Sequence, residues 1–180
     1  LAGCGSGAAG EYAIVETSYP ARTQKTEERV DTEELVRFSS ETAAKIFAEG
    51  ENTVYSPVSL YMALGMVTEL TEGQTKRQVT NLLGVSDSEA LRQSLWRQLY
   101  RDEKDSALWL GNAAFLNETM SFHKEPLEVL AKDYYASSYC LPMGTSGADK
   151  TIAAWLNQQT NDLLTDDTGA IRTEKRDLLR

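Results

Sequence analysis

Between Glu51 and Glu69 the sequence reads NTVYSPVSLYMALGMVT, a run without one charge in a chain that as a whole is 25% Asp, Glu, Lys and Arg. Such a run has to be covered. Its local signals are helical: Ser56-Pro57 joins a hydroxyl cap to a proline at the first helical position, where the missing N–H costs nothing. From Val58 to Val67 the apolar run is about half of the ~20 residues that a membrane span needs. The expectation is therefore a helix wrapped by protein on all sides. Ser56 and Ser59 are the hydroxyls at its mouth, and buried hydroxyls need partners.

At 180 residues and a formal net charge of -9, the chain suits one acidic soluble domain. Surplus negative charge argues against a nucleic-acid partner, because neutralising phosphates takes clustered Lys and Arg. Lys76-Arg77 and Lys175-Arg176 are paired basic residues that read as solvated faces. His123 is the one histidine, so any Ser-His or Cys-His arrangement would have to be built on it. It stands in Phe122-His123-Lys124-Glu125, which reads as the start of a polar helix. One His and two distant Cys supply no metal ligand cluster. The expectation is a protein that is not an enzyme and holds no cofactor.

Leu1-Ala2-Gly3-Cys4 resembles the lipobox of bacterial lipoproteins, in which small residues are cut away and the cysteine becomes the lipidated first residue. That implies a lipid anchor at Cys4 and an extracellular or cell-envelope location. Residues 1–30 then read as a lipobox remnant and a flexible tether of Gly, Ala, Ser, Thr and charge. Cys140 is left as an unpaired thiol and reads as a small core residue.

From Asp31 the pattern turns helical. Leu35, Phe38, Ala43, Ile46 and Phe47 recur on one face, with Asp31 or Thr32 to cap the helix and Gly50 to stop it. Thr71 to Gly84 gives a further amphipathic helix that Gly84 terminates. Leu91, Leu95 and Leu99 mark another, opened by Ser86 or Ser88. Ala107 to Leu116 breaks the helical period with apolar residues on both faces, the pattern of a strand covered on both sides. Phe122 to Ala136 is helical, with Pro126 tolerated in the first turn. Ser137 to Met143 is a second strand, and Asp149 is expected to cap a helix with Ile152, Trp155, Leu156 and Leu163 on one side. Residues 166–180 read as a polar tail without a core pattern. A strand apolar on both faces needs neighbours at both edges, and the sequence does not supply them.

The order of these elements and their local words are similar to those of the serpins. Asn52-Thr53-Val54-Tyr55-Ser56-Pro57-Val58-Ser59-Leu60 resembles that family's short strand running into its buried helix B. Gly73-Gln74-Thr75, with Gln78-Val79 and Leu82-Leu83-Gly84, resembles the helix C region. Gly111-Asn112-Ala113-Ala114-Phe115 resembles the second strand of the main sheet, Phe122 to Tyr135 helix E, and Ala154-Trp155-Leu156-Asn157 helix F. The match is collinear over about residues 32 to 164. It implies an α+β, serpin-like fold: helices A to F with the first strands of a mixed central sheet, occupying residues 31–165. A serpin domain is roughly twice this long, so the C-terminal half, with the reactive loop, is missing.

The resemblance also implies a role for the uncharged helix. In the family it lies beneath the main sheet, where the sheet opens to admit the cleaved reactive loop as an extra strand. It places Ser56 and Ser59 at that opening, the shutter, and Asn157 on the helix that covers the same sheet. Two functional readings follow. One is a suicide-substrate inhibitor of serine or cysteine endopeptidases; the alternative is a non-inhibitory, serpin-like envelope lipoprotein that binds or supports. A hydrolase built on His123 is disfavoured, because no motif places a second catalytic partner.

Overall fold

The computed structural model describes residues 12–15, 17, 32–49, 53–84, 89–103, 106–164 and 169–177. The chain divides into two units, residues 25–98 and residues 1–24 with 99–180.

The first unit is helical. Helix α1 spans Glu33–Ile46 and passes into a 3-10 turn at Phe47–Glu49. Helix α2 is Pro57–Leu70, α3 is Gly73–Leu83 and α4 is Glu89–Leu99. Helices α1, α2 and α3 pack on one another, and Phe38 meets Tyr61 edge to face at 5.3 Å. Gly84 ends α3 at φ 78, a left-handed position where a side chain is strained. An added Cβ there would fall 2.1 Å from the Arg37 guanidinium.

Helix α2 starts where the Ser-Pro signal places it, with Pro57 at its first turn. It is not enclosed on every side. Tyr61, Met62, Gly65, Met66 and Thr68 are buried, while Ser56, Ser59 and Ala63 are exposed. The expectation that the charge-free helix is wrapped all round is thus corrected: its buried side chains follow helical spacing, and among the described residues Ser56, Ser59 and Ala63 remain exposed.

The second unit is built on a three-stranded sheet in the order β1-β5-β4. Strand β1 is Ala13–Val15, β4 is Asn112–Asn117 and β5 is Ala136–Leu141. A separate hairpin pairs β2, Arg101–Glu103, with β3, Ser106–Leu108. The continuous strand expected over 107–116 is therefore two strands, interrupted at Trp109–Gly111. Gly111 explains part of the break: an added Cβ would lie 2.7 Å from Gln159 Oε1, so the chain passes close to a neighbouring helix there.

Strands β4 and β5 run parallel, and parallel neighbours need a crossover. Helix α5, Lys124–Asp133, supplies it, with Pro126 in its first turn where proline is tolerated. The Asn112 amide donates to the Tyr134 carbonyl at 2.7 Å, tying the start of β4 to the end of α5. Helix α6, Ser146–Gln159, follows β5. Its cap is Thr145, whose hydroxyl accepts from Ala148 N–H at 3.2 Å; the expected cap, Asp149, lies inside the helix.

Three further expectations change. Residues 13–15, inside the expected tether, form a strand antiparallel to β5. A three-residue Ala-Ile-Val segment is too short to show periodicity, and its partner lies far along the chain. Cys140 is buried as expected, but it is disulfide-bonded, so it is no unpaired thiol. The polar tail is anchored: Thr173 is buried and Ile171 packs against the core cluster of Phe115, Leu141, Met143, Ala148 and Ile152.

Candidate functional site

Ser56 holds the first position before α2, and its Oγ accepts the Ser59 N–H at 3.3 Å. The two hydroxyls also face each other at 2.8 Å, and either can donate. This is a capping pair with a rotatable proton, able to exchange partners without leaving a buried group unsatisfied. Both side chains are exposed, contrary to the buried hydroxyls expected of them. The reason is local: they occupy the uncovered face of α2.

Asn157 stands on α6 in the other unit and is half-buried. Its carbonyl accepts the Asp162 N–H at 2.8 Å where the helix ends. Helix α6 lies against the sheet through aromatic contacts. Phe115 of β4 stacks on Tyr139 of β5, its register partner, at 5.3 Å, and meets Trp155 of α6 edge to face at 5.5 Å. Offset and edge-on aromatic pairs favour this arrangement beyond the area they bury. Ser56 and Ser59 are thus brought together by the fold, while Asn157 belongs to a helix that covers a sheet. Cys4 lies outside the described residues.

Nothing in this arrangement activates a nucleophile. His123 is an exposed residue preceding α5 and makes no side-chain cap bond. Among the described residues no group of His, Cys, Asp and Glu could hold a metal ion, and no helix is long and apolar enough to cross a membrane.

A model of the family described as Serpin (serine protease inhibitor) matches residues 33–178. The chain belongs to the serpin family. A relative from Triticum aestivum, Serpin-Z2B, is 26% identical over 159 residues, covering 81% of this chain and 40% of the relative. The plasma serine protease inhibitor of Bos taurus is 26% identical over 127 residues, covering 66% of this chain and 31% of its own length. Among solved structures, Arabidopsis AtSerpin1 in its native stressed conformation superposes with a TM-score of 0.70 at 20% identity, over 84% of this chain and 42% of that one. That last likeness concerns the fold: among the described residues six α-helices and a small mixed sheet form part of a serpin domain. The chain spans about 40% of the length of the wheat serpin it matches.

Two polar anchors of the sheet unit escaped the sequence reading. The Asn117 amide, only 2% exposed, donates to the carbonyls of Lys175 and Asp177 at 3.0 and 2.9 Å. Its oxygen accepts from the Thr119 N–H and hydroxyl at 3.0 and 2.8 Å. Asn117-Glu118-Thr119 has the spacing of an N-glycosylation acceptor, but an amide so enclosed and engaged is no substrate for it. The second anchor is Asp149, which holds Thr173. An Asn closing a strand, two residues before a Thr, was the available signal for the first; the second pairing is non-local and left none.

Proposed function

We propose that this chain is the N-terminal part of an inhibitor of serine or cysteine endopeptidases that acts as a suicide substrate, without turnover. The observation that carries the reading is the serpin family match over residues 33–178, and the relative named a plasma serine protease inhibitor supports it. In the proposed mechanism a target protease cuts a reactive loop lying in the part of a serpin domain that this chain does not span. The freed loop then enters the main sheet as a new strand. Each paired strand satisfies backbone groups and buries side chains, and the free energy gained distorts the attached protease.

In this reading Ser56 and Ser59 belong to the shutter. Their mutual hydrogen bond is the partner exchange that a moving sheet requires, worth about 0.5–1.5 kcal/mol per bond net. Their exposure here fits a face that the remainder of a full-length domain would cover. Asn157, on the helix over the sheet, would follow the same motion.

The test uses the protein carrying the whole serpin domain, mixed with a panel of serine and cysteine endopeptidases. A covalent complex that survives detergent supports the inhibitor. Cleavage of the loop with no such complex would leave a non-inhibitory envelope protein in its place.

The lipobox resemblance supports a bacterial, envelope-surface protein anchored through Cys4, and the net charge of -9 supports partners other than nucleic acid. The disulfide at Cys140 stands against that anchor, since only two cysteines are present and a sulfur carries either a thioether or a disulfide. Peptide mass mapping decides: a diacylglyceryl group on Cys4 supports the anchor, and Cys4 recovered linked to Cys140 removes it.

A further inference from the structure

The edge of β5 opposite β4 is occupied by a segment that is distant in sequence and small. Strand β1 contributes three residues, pairing Ala13 with Tyr139 and Val15 with Ser138 around an irregular register. Two side chains bracket this ladder. At one end Tyr12 packs against the core cluster of Phe115, Leu141, Met143, Ala148 and Ile152, and its carbonyl accepts the Cys140 N–H at 2.8 Å. At the other end the Thr17 hydroxyl donates to the Ala131 carbonyl of α5 at 2.9 Å, and the Thr17 N–H donates to Ser137 Oγ at 3.2 Å.

We infer that the β5 edge, together with the Ala131 carbonyl of α5, is an acceptor site for one extended peptide strand carrying an aromatic residue and a hydroxyl five positions later. Residues 12–15 and 17 fill it in cis. The chemistry is that of strand addition: main-chain bonds give attachment, and alternate side chains give selectivity. An aromatic seat and a hydroxyl-reading carbonyl lie at the two ends, a separation that about five extended residues span. Serine 137 adds a side-chain acceptor for a backbone N–H, which fixes register where the ladder itself is irregular. A ladder of three residues with part-exposed bonds opens at low cost compared with the whole domain, so once the disulfide at Cys140 is reduced its occupant is exchangeable. This inference does not depend on protease inhibition; it concerns only the β5 edge and what fills it.

The experiment uses the full chain, with Cys140 reduced, and reads hydrogen exchange at the Cys140 amide. The double variant Tyr12→Ala, Thr17→Ala is expected to exchange there about tenfold faster than the parent, from the loss of an aromatic seat and a hydrogen bond. Adding the free peptide Glu-Tyr-Ala-Ile-Val-Glu-Thr-Ser in excess restores the slow rate. The same peptide with Tyr and Thr replaced by Ala does not. Should the double variant fail to fold, Thr17→Ala alone is read in the same way, with a smaller acceleration reversed by the same peptide. Unchanged exchange in the folded variants, or equal rescue by the Ala-substituted peptide, overturns the site.

Discussion

Asp149 Oδ1 accepts both the N–H and the hydroxyl of Thr173, at 2.7 and 2.8 Å, and the same hydroxyl accepts the Gly144 N–H at 2.9 Å. One carboxylate in α6 therefore fastens a segment that the sequence presents as a polar tail. Replacing Asp149 by Ala leaves a buried hydroxyl and N–H without their acceptor. The expected loss is about 1.5–3 kcal/mol, as for bonds to a charged partner, read as a lower urea midpoint; Asp149→Asn is expected to retain part of it. A midpoint within error of the parent would show that the pairing is incidental.

Gly144 makes the neighbouring prediction. Its φ is 80, and an added Cβ would lie 2.7 Å from the Lys175 backbone nitrogen. Gly144→Ala is thus strained twice, by the left-handed backbone and by a main-chain neighbour with little freedom to yield. The expected cost is at least ~1–2 kcal/mol, with increased proteolysis within residues 171–177 as the local sign.

Phe115→Ala removes the ring shared by Tyr139 and Trp155. For a residue 5% exposed, the expected destabilisation is about 3–5 kcal/mol. Phe115→Leu is expected to lose less, since volume is largely kept. Near-ultraviolet circular dichroism should show the change in aromatic packing before unfolding.

The serine pair separates capping from function. Ser56→Ala is expected to cost about 1 kcal/mol through the lost cap of α2, whereas the exposed Ser59→Ala costs under ~0.5 kcal/mol. In the protein with the complete domain, a shutter role predicts that Ser59→Ala raises the amount of inhibitor consumed per protease trapped. A stoichiometry unchanged by Ser59→Ala would confine this residue to the helix start.

Strand β4 pairs only with β5 among the described residues, and Leu108, Trp109 and Leu163 are exposed. A strand edge without a partner among the described residues, together with exposed apolar side chains, invites pairing between molecules. Residues 30–180 alone are expected to associate with rising concentration in sedimentation velocity. A monomer with a cooperative unfolding transition would contradict that expectation.

Much of the architecture was legible because local chemistry and tertiary outcome agree. Ser56-Pro57 starts α2, Gly84 stops α3, Pro126 falls in the first turn of α5, and the apolar stretch after Ala136 is a strand. What stayed hidden is non-local. Nothing in Ala-Ile-Val at 13–15 announces a partner beyond residue 135, and the attachment of Thr173 depends on a carboxylate that looked like a helix cap. The serines were legible as a cap but not as exposed: a run without charge tells that cover is needed, not that this stretch of chain provides it.

The placement of β1 also sets a ground clearance. Were the protein moored to a bilayer at Cys4, seven residues would separate that point from Tyr12, a reach of roughly 28 Å over the steps between them when fully extended. A leash running free to residue 30 would reach about 90 Å. Docking of β1 would therefore hold this flank of the sheet low over the lipid headgroups and leave approach by a large enzyme to the opposite side.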